Sequence, residues 1–551
     1  MIEIPPQKPL EAQKVLIIDG QTLVHDVIKS ALMELNIKHV QSAENAYFAL
    51  RLCEEMTFDV VLISFDVKSD KDGFNLLEEM KLKGFITKTT TVVFLSADTS
   101  SGLVNCVVEL QPSDFWVKPL DRHKIEKRFS YLFEIKKRLY RLNFCVDKQE
   151  YATAIYYAER QLADPVLAQF HPQINRVIGD CLLSLLQFEQ AENLYKKLLG
   201  QYKYGWISVN LARSLLKQDK FAEAQALLNQ LLERDDTRFT AYDVLAEYYI
   251  EKENYEKGYE IIKEATKLAP RNIARNKKSW NLARLNHDRQ GQYMATQNMA
   301  KYAKNSIHDS PHLSLNVIRA AIDLAGTLSG PESIKLLSKT ERDLVKLQSD
   351  FGAQNQLGEQ LSVISARMLN LKNDKKAAEA IVSELLNIKQ HHSIEDTLDK
   401  VKAFHELGYW EQSLALLDDI KTQIEGDSFT AQVINEYIEQ ESKERASIHY
   451  SPKELVDMAS AHYRSKRYKP SYELLKQALV LTPKNTNIAL SLLKVIAKIA
   501  VDIRLEDEHV NVYEQCKSLV SDCPLTEAQV AKIDEYDQIL NPIFKQKTKK
   551  A

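Results

Sequence analysis

Four polar side chains close short apolar runs near the N-terminal end of the sequence. A carboxylate, two hydroxyl groups and an ammonium group are supplied by Asp19, Ser64, Ser96 and Lys118. Such groups bind ions and hydrogen-bonding ligands. Ligands of parallel α/β sheets bind beyond the carboxyl ends of the strands, and each of these groups follows a predicted strand. We therefore expect the four groups to converge on one ligand site.

The elements that must position this site are strands and helices in alternation, from residue 14 to about residue 120. Between the apolar runs lie stretches with helical spacing, for example Val24, Ile28 and Leu32. This alternation predicts a doubly wound, five-stranded parallel sheet with helices on both faces. The apolar runs are residues 15–18, 60–63, 92–95 and 115–117, with a weaker one near Val40.

From about residue 121 the pattern is almost entirely helical, and it repeats. Small residues are expected where the two helices of one hairpin touch, and aromatic residues where one hairpin meets the next. One template is Gly179, Phe188, Ala191 and Tyr195. It recurs 33 residues later as Ala212, Phe221, Ala224 and Leu228. After another 34 residues it recurs as Ala246, Tyr255, Gly258 and Ile262.

This period resembles the tetratricopeptide repeat, a helix-turn-helix unit of 34 residues. The resemblance implies an all-α solenoid over residues 135–540, whose groove binds other proteins, followed by a basic tail over residues 541–551. Four copies match well, at about 172–204, 205–238, 239–272 and 452–485. Looser copies lie near 135–168, 277–310, 359–392 and 394–427, and residues 311–358 are the least regular.

Residues 14–134, which follow an N-terminal tail over residues 1–13, resemble the receiver domain of bacterial response regulators. That family has a flavodoxin-like fold. Two acidic residues close its first strand, an aspartate the third, a serine or threonine the fourth and Lys-Pro the fifth. The carboxylates hold Mg²⁺, the third-strand aspartate becomes an acyl phosphate, and the hydroxyl and ammonium groups bind the phosphate. The positions that match are Asp19, Ser96, Lys118 with Pro119, and the aromatic switch position, Phe115.

Two positions depart from the family pattern. Gly20 stands where the second acid would be, and Ser64 stands where the phosphorylated aspartate would be. A serine there cannot form an acyl phosphate. With Asp19 as the only remaining acidic ligand, Mg²⁺ is expected to bind weakly or not at all, so no metal or other cofactor is expected. Lys118 is expected to pair with Asp19 or to reach solvent, because an unpaired buried ammonium is costly.

The register of the third strand has two interpretations. Ser64 lies nine residues before Gly73, as in a receiver subfamily with one extra loop residue, and the residues from Ser64 to Val67 fit its nucleophile-aromatic-x-apolar pattern. Alternatively, Asp66 is the phosphoacceptor, seven residues before Gly73, on a strand that is longer by two residues. The sequence leaves both open.

Composition excludes several other classes of function. The net charge is −3, whereas proteins that bind nucleic acids typically carry a basic patch, so the charge does not indicate nucleic-acid binding. No apolar run approaches the ~20 residues that a membrane span needs. His25 is expected to be solvated, and the pair His391-His392 has no partners for a metal site. We expect a cytoplasmic protein whose cysteines are reduced core residues, because none of the six forms a CxxC pair: Cys53, Cys106, Cys145, Cys181, Cys516 and Cys523.

A receiver of this loop type joined to tetratricopeptide repeats is similar to VieB-like auxiliary response regulators. No enzyme signature or DNA-binding module accompanies it, so the resemblance implies a non-enzymatic protein of two-component phosphorelay signalling. Its first helix, about Leu23–Leu35, and the adjoining fifth loop would dock on a histidine kinase or phosphotransfer protein, and the effect would be to modulate, in the favoured case to inhibit, phosphotransfer. Two alternatives remain: phosphorylation of Asp66 with output through the repeats, or a receiver that only caps the solenoid.

Overall fold

The computed structural model describes residues 4–69, 71–328, 331–351, 357–372, 374–386, 393–424, 429–482, 485–502, 507–521 and 527–548. Asp70, the pair His391-His392, Cys523 and the last residues of the basic tail, 549–551, lie outside the described residues. The chain forms two compact units. Unit 1 contains residues 1–276 and 298–309, and unit 2 contains residues 277–297 and 310–551.

A five-stranded parallel sheet begins unit 1, with strand order β2-β1-β3-β4-β5. This confirms the predicted doubly wound α/β domain, including the weaker strand near Val40. The strands are β1 Lys14–Ile18, β2 His39–Ala43, β3 Val60–Ser64, β4 Thr91–Ser96 and β5 Asp114–Val117. The helices are α1 Thr22–Glu34, α2 Ala46–Glu55, α3 Gly73–Leu82, α4 Ser101–Glu109 and α5 Arg122–Asp147.

The sheet separates two apolar cores, which explains why its strands are continuous apolar runs. Successive side chains of a strand point to opposite faces. Val15 and Ile17 of β1 therefore pack with α1 and α5 on one face, whereas Leu16 and Ile18 pack with α2, α3 and α4 on the other. Because helices cover both faces, apolar residues are favoured at every position of the inner strands.

Helix α5 belongs to both parts of unit 1. Its first half contributes Ile125 and Phe129 to the core of the sheet domain, and its second half contributes Leu139 and Leu142 to the core of the first helical hairpins. The side chain of Asp121 caps the helix by accepting a hydrogen bond from the backbone N–H of Lys124 at 2.9 Å. The helix thus runs without a break from the sheet domain into the first helical hairpins.

After β5, the regular secondary structure of the described residues is helical, which confirms the predicted all-α region. The hairpins of unit 1 contain α6 Tyr151–Leu162, α7 His171–Ser184, α8 Phe188–Leu199, α9 Gly205–Leu216, α10 Phe221–Glu233, α11 Arg238–Glu251 and α12 Tyr255–Leu268. The small template residue Gly179 marks the predicted close contact: a Cβ there would lie 2.2 Å from the Oη of Tyr195. Phe221 stacks on Tyr248 of the next hairpin, with ring centroids 5.1 Å apart.

Unit 2 continues the helical pattern. Helices α13 Ile273–Leu285 and α14 Arg289–Ala303 contribute to both units. The remaining helices are α15 Pro311–Ala325, α16 Pro331–Phe351, α17 Gly358–Leu371, α18 Lys375–Leu385, α19 Ile394–Glu406, α20 Trp410–Gln423, α21 Phe429–Ser447, α22 Pro452–Arg464, α23 Tyr468–Leu481, α24 Thr486–Asp502, α25 Asp507–Ser521 and α26 Glu527–Thr548. The least regular segment, 311–358, contains the hairpin of α15 and α16. None of the described helices has the length and apolar character needed to cross a membrane.

Unit 2 is held together partly by buried charges. The guanidinium of Arg367 on α17 lies 2.7 Å from carboxylate oxygens of Asp323, Asp399 and Glu406, and its side chain is 3% exposed. Next to Glu406, the Nε2 of His405 lies 2.7 Å from the carbonyl oxygen of Ile448. The ion pairs of Arg367 join α15, α17 and α19. Removal of one partner would therefore leave an uncompensated buried charge.

Candidate functional site

Three of the four polar groups predicted from the strand ends, those of Asp19, Ser64 and Lys118, meet in the structure. Lys118 donates a hydrogen bond from Nζ to the Oγ of Ser64 at 2.8 Å, and the same Nζ lies 2.8 Å from Oδ2 of Asp19. Ser96 closes the neighbouring strand, and its carbonyl oxygen accepts the backbone N–H of Lys118 at 2.9 Å. Asp19, Ser64 and Ser96 are fully buried. Of the two arrangements expected for Lys118, the pair with Asp19 is the one observed.

Asp19 is fixed by its neighbours as well as by Lys118. Its Oδ1 accepts the backbone N–H of Gln21 at 2.9 Å, and its carbonyl oxygen lies 2.8 Å from Nε2 of His25. The expectation that His25 is solvated was wrong: its imidazole, in the first turn of α1, is buried and 5% exposed. The ring therefore braces the turn that carries Asp19.

Ser96 and the residues around it keep the geometry of the fourth and fifth strand ends. The Oγ of Ser96 accepts the backbone N–H of Asp98 at 3.0 Å. The peptide bond between Lys118 and Pro119 is cis. Phe115 is half-buried and stacks on Phe94, with ring centroids 6.0 Å apart. These contacts place the hydroxyl, the ammonium stem and the aromatic ring on rigid strand ends.

The loop between β3 and α3 folds against Gly20. The backbone N–H of Gly20 donates to the carbonyl oxygen of Asp66 at 3.3 Å, and a Cβ on Gly20 would lie 3.2 Å from the Cγ of Lys68. The ammonium of Lys68 in turn lies 2.8 Å from the carboxylate of Glu44. The stem of a lysine thus fills the space next to the position of the missing second acid.

The start of α3 bears on the two interpretations of the third strand. A Cβ on Gly73 would lie only 1.8 Å from the carbonyl oxygen of Ser64, so only glycine fits this approach. Strand β3 ends at Ser64, whose side chain points into the polar cluster. Asp66 lies in the following loop and is exposed. The buried cluster therefore contains Ser64, and Asp66 stands outside it.

The cluster offers few ligands to a metal ion. Asp19 is its one carboxylate, and Oδ2 of Asp19 already faces the Lys118 ammonium. A divalent cation would have to displace that ammonium, and Mg²⁺ normally uses one or two carboxylates together with substrate phosphate. Within the described part of the chain, no group of three or more His, Cys, Asp or Glu side chains is arranged to hold a metal.

The predicted docking helix corresponds to α1. Two of its large apolar side chains are turned to solvent, since Leu23 is 72% exposed and Met33 is 70% exposed. A groove of about 420 Å³ separates α1 from the start of α2, and Phe48 forms part of its wall. Exposed apolar side chains beside a groove are typical of protein-binding surfaces.

Sequence reasoning missed the residues outside the domain that touch this region. Arg271, which follows α12, pairs with Asp72 at the start of α3, with 2.7 Å between Nη1 and Oδ2. The two residues are 199 positions apart. No local pattern in the sequence marks such a contact.

Comparison with known proteins agrees with this architecture. Residues 15–130 match the family model described as response regulator receiver domain. Residues 182–247 match the model described as tetratricopeptide repeat. No curated protein matches the sequence.

Several solved structures are similar to the first domain. The chemotaxis response regulator CheY4 of Vibrio cholerae is 19% identical, with 22% of this chain and 98% of that chain covered and a TM-score of 0.20. The receiver domain of a LuxO repressor protein from Vibrio parahaemolyticus is 16% identical, with coverages of 23% and 92% and a TM-score of 0.21. The receiver domain of Francisella response regulator 1452 is 24% identical, with coverages of 22% and 97% and a TM-score of 0.20. The matched family models, together with the fold, show that the chain carries a response regulator receiver domain followed by tetratricopeptide repeats.

Proposed function

We propose that this protein is an auxiliary component of two-component signalling whose receiver domain does not accept phosphate. It binds a histidine kinase or a phosphotransfer protein and inhibits phosphotransfer to a competent regulator, as in VieB-like auxiliary response regulators. The observation that carries the proposal is the side chain of Ser64. It occupies the end of β3 and accepts the hydrogen bond of Lys118, the partner that a phosphoacceptor carboxylate would have.

The chemistry around Ser64 supports a site without phosphotransfer. A hydroxyl needs an adjacent base to become a nucleophile. Among the described residues, the side chain at hydrogen-bond distance from the Ser64 hydroxyl is that of Lys118, which donates to Ser64 and faces Asp19 rather than accepting a proton. The residues do not fit Mg²⁺ either, because the single carboxylate of the cluster, that of Asp19, already forms an ion pair with Lys118. No step of the proposed mechanism therefore passes through a metal ion.

Binding alone is sufficient for inhibition. A protein present at 100 times its Kd occupies about 99% of its partner. The exposed face of α1, with Leu23 and Met33, supplies the surface for this contact, together with the groove between α1 and the start of α2. The tetratricopeptide repeats offer additional surface for a second protein or for a larger contact with the first.

The test is phosphotransfer from an autophosphorylated histidine kinase of the same cell to its cognate regulator, with increasing amounts of this protein. We expect transfer to fall. Leu23→Glu should abolish the effect, because it places a charge on the docking face. Val166→Glu is the matched control, since Val166 is also 72% exposed but lies in a turn before α7. Unchanged transfer at saturating protein, for every kinase tested, contradicts the proposal.

A second measurement decides between Ser64 and Asp66. Incubation with acetyl phosphate and Mg²⁺, followed by intact-mass analysis, should leave the wild-type mass unchanged. A phosphoryl adduct that disappears in Asp66→Ala would instead establish Asp66 as the phosphoacceptor and overturn the assignment of a phosphorylation-deficient receiver.

A further inference from the structure

The face of the receiver formed by α3 and α4 is covered by residues of the repeats within unit 1. Arg271 pairs with Asp72 at 2.7 Å, and Nδ2 of Asn272 lies 2.9 Å from a carboxylate oxygen of Glu109. Arg275 pairs with the same Glu109, and their side chains are 3% and 10% exposed. In the ion pairs that join the receiver to the repeats, the carboxylates belong to the receiver and the cations to the repeats. Arg275 is also held from its own side, because its Nε donates to Oδ1 of Asp243 on α11 at 2.9 Å.

Two further contacts widen this interface. Nε2 of His308 lies 3.3 Å from the carboxylate of Glu78 on α3. Ala269, at the end of α12, is fully buried and packs into the apolar core that α2, α3 and α4 form over the sheet. The interface is therefore both apolar and charge-complementary, the combination that gives a contact affinity and a fixed register.

Arg271 holds both ends of the loop that follows Ser64. Its guanidinium lies 5.3 Å from the ring centroid of Phe65, the residue directly after Ser64. It also pairs with Asp72, whose other carboxylate oxygen caps α3 by accepting the N–H of Asn75 at 2.9 Å. A cation over an aromatic face and an ion pair are each stabilising when they are shielded from water. One side chain of the repeats thus fixes the β3–α3 loop of the receiver.

Cys106 belongs to the covered face of the receiver. Its side chain is fully buried on α4. Burial raises the pKa of the Cys106 thiol, while a hydrogen bond from the backbone of Arg271 opposes that rise. The thiol therefore lies directly beneath the residues that cover α4. Cys53 is buried in the same domain, on α2, and can serve as an internal reference.

We infer that the repeats mask the α3–α4 face of the receiver in cis, through a latch of Arg271 and Arg275 on Asp72 and Glu109. While this latch is closed, the acidic and aromatic surface around Phe65 and Glu109 is withheld from other proteins, whereas the α1 face stays exposed. Opening the latch would expose this face of the receiver. This inference concerns regulation within the chain and holds whether or not the α1 face binds a kinase.

The test uses the full chain and the alkylation of Cys106 by N-ethylmaleimide, followed by peptide mass spectrometry. In Arg271→Ala we expect Cys106 to react roughly tenfold faster or more, because a loss of about 1.4 kcal/mol from the latch changes the open fraction tenfold. The rate at Cys53 should not change. Arg234→Ala is the control, because among the described residues of the same repeats the ion-pair partner of Arg234 is the exposed Asp236.

A second variant guards against a trivial folding defect. Asp72→Asn keeps an oxygen to cap α3 but removes the charge that pairs with Arg271. It should also accelerate alkylation of Cys106, by a smaller factor. An unchanged Cys106 rate in both variants would overturn the latch. So would a parallel increase at Cys53, since that would mean unfolding of the whole domain.

Discussion

The buried pair of Asp19 and Lys118 allows a sharp test of how the receiver domain is stabilised. The change is Asp19→Asn, which keeps the shape of the side chain and the oxygen that accepts the N–H of Gln21. It removes the charge that faces the Lys118 ammonium at 2.8 Å. The substitution therefore isolates the electrostatic part of the interaction.

The expected cost follows from burial. Asp19 is fully buried and the Lys118 side chain is 9% exposed. Loss of one partner of a buried pair typically costs 3–5 kcal/mol, and we expect about 3 kcal/mol here because Lys118 keeps its hydrogen bond to Ser64. Lys118→Met should cost a similar amount, because it leaves the Asp19 carboxylate unpaired. The double variant should cost about 2 kcal/mol less than the sum of the two single variants.

The measurement is hydrogen exchange of the backbone amides in the central strand β3, in the full-length protein. Exchange of core-strand amides reports the free energy of opening of the domain that contains them. A loss of about 3 kcal/mol corresponds to roughly a hundredfold faster exchange. Asp236→Asn, in an exposed ion pair of the repeats, is the control and should leave β3 unchanged.

Two outcomes would refute this reasoning. If Asp19→Asn accelerates the exchange of β3 by less than roughly threefold, the pair contributes less than about 0.7 kcal/mol. If the two single variants are additive in the double variant, Asp19 and Lys118 do not interact energetically, in spite of their distance.

Two further predictions concern the helical region. Gly179→Ala should destabilise the repeats of unit 1 by about 2 kcal/mol, because the new Cβ would lie 2.2 Å from the Oη of the buried Tyr195. The measurement is the midpoint of thermal unfolding, followed by circular dichroism. Gly358→Ala is the control and should change this midpoint very little, because there is open space around Gly358. Equal midpoints for Gly179→Ala and Gly358→Ala would contradict the packing argument. Burial, together with nearby Arg445, lowers the pKa of His405 to about 4. Unfolded histidine titrates near 6.5, so unit 2 should lose about 3 kcal/mol of stability as the pH falls from about 6.5 to about 4. In His405→Gln this part of the acid sensitivity, measured by urea unfolding at several pH values, should disappear; an unchanged pH dependence would refute it.

Much of the receiver site could be predicted because its signals are local. A buried parallel strand is a short apolar run, and the polar residue that follows it must lie at the edge of the sheet. Asp19, Ser64 and Lys118 were identified in this way, and the structure brings them within hydrogen-bond distance. The burial of His25 was missed because its partner is a backbone carbonyl, which no side-chain pattern encodes.

The contacts that join distant parts of the chain could not be predicted. Arg271 and Asp72 are 199 residues apart, and each is an ordinary charged residue near a helix end. The buried charges of unit 2 were also missed. Hydrophobic periodicity assigns an arginine such as Arg367 to the solvent face, although three carboxylates surround it in the interior. Both features depend on tertiary pairing, whereas a single sequence shows only local pattern.

Because helix α5 continues from the receiver into the repeats, its number of residues sets the orientation of the receiver relative to the first repeat. It is one helix of 26 residues, with receiver core residues at one end and repeat core residues at the other. Each inserted or deleted residue would rotate one end relative to the other by about 100° and shift it by about 1.5 Å. To exchange this receiver for another, the two chains should therefore be joined within the helix and not at a linker. Any change in the length of the helix should be a multiple of seven residues, so that the helical register is preserved.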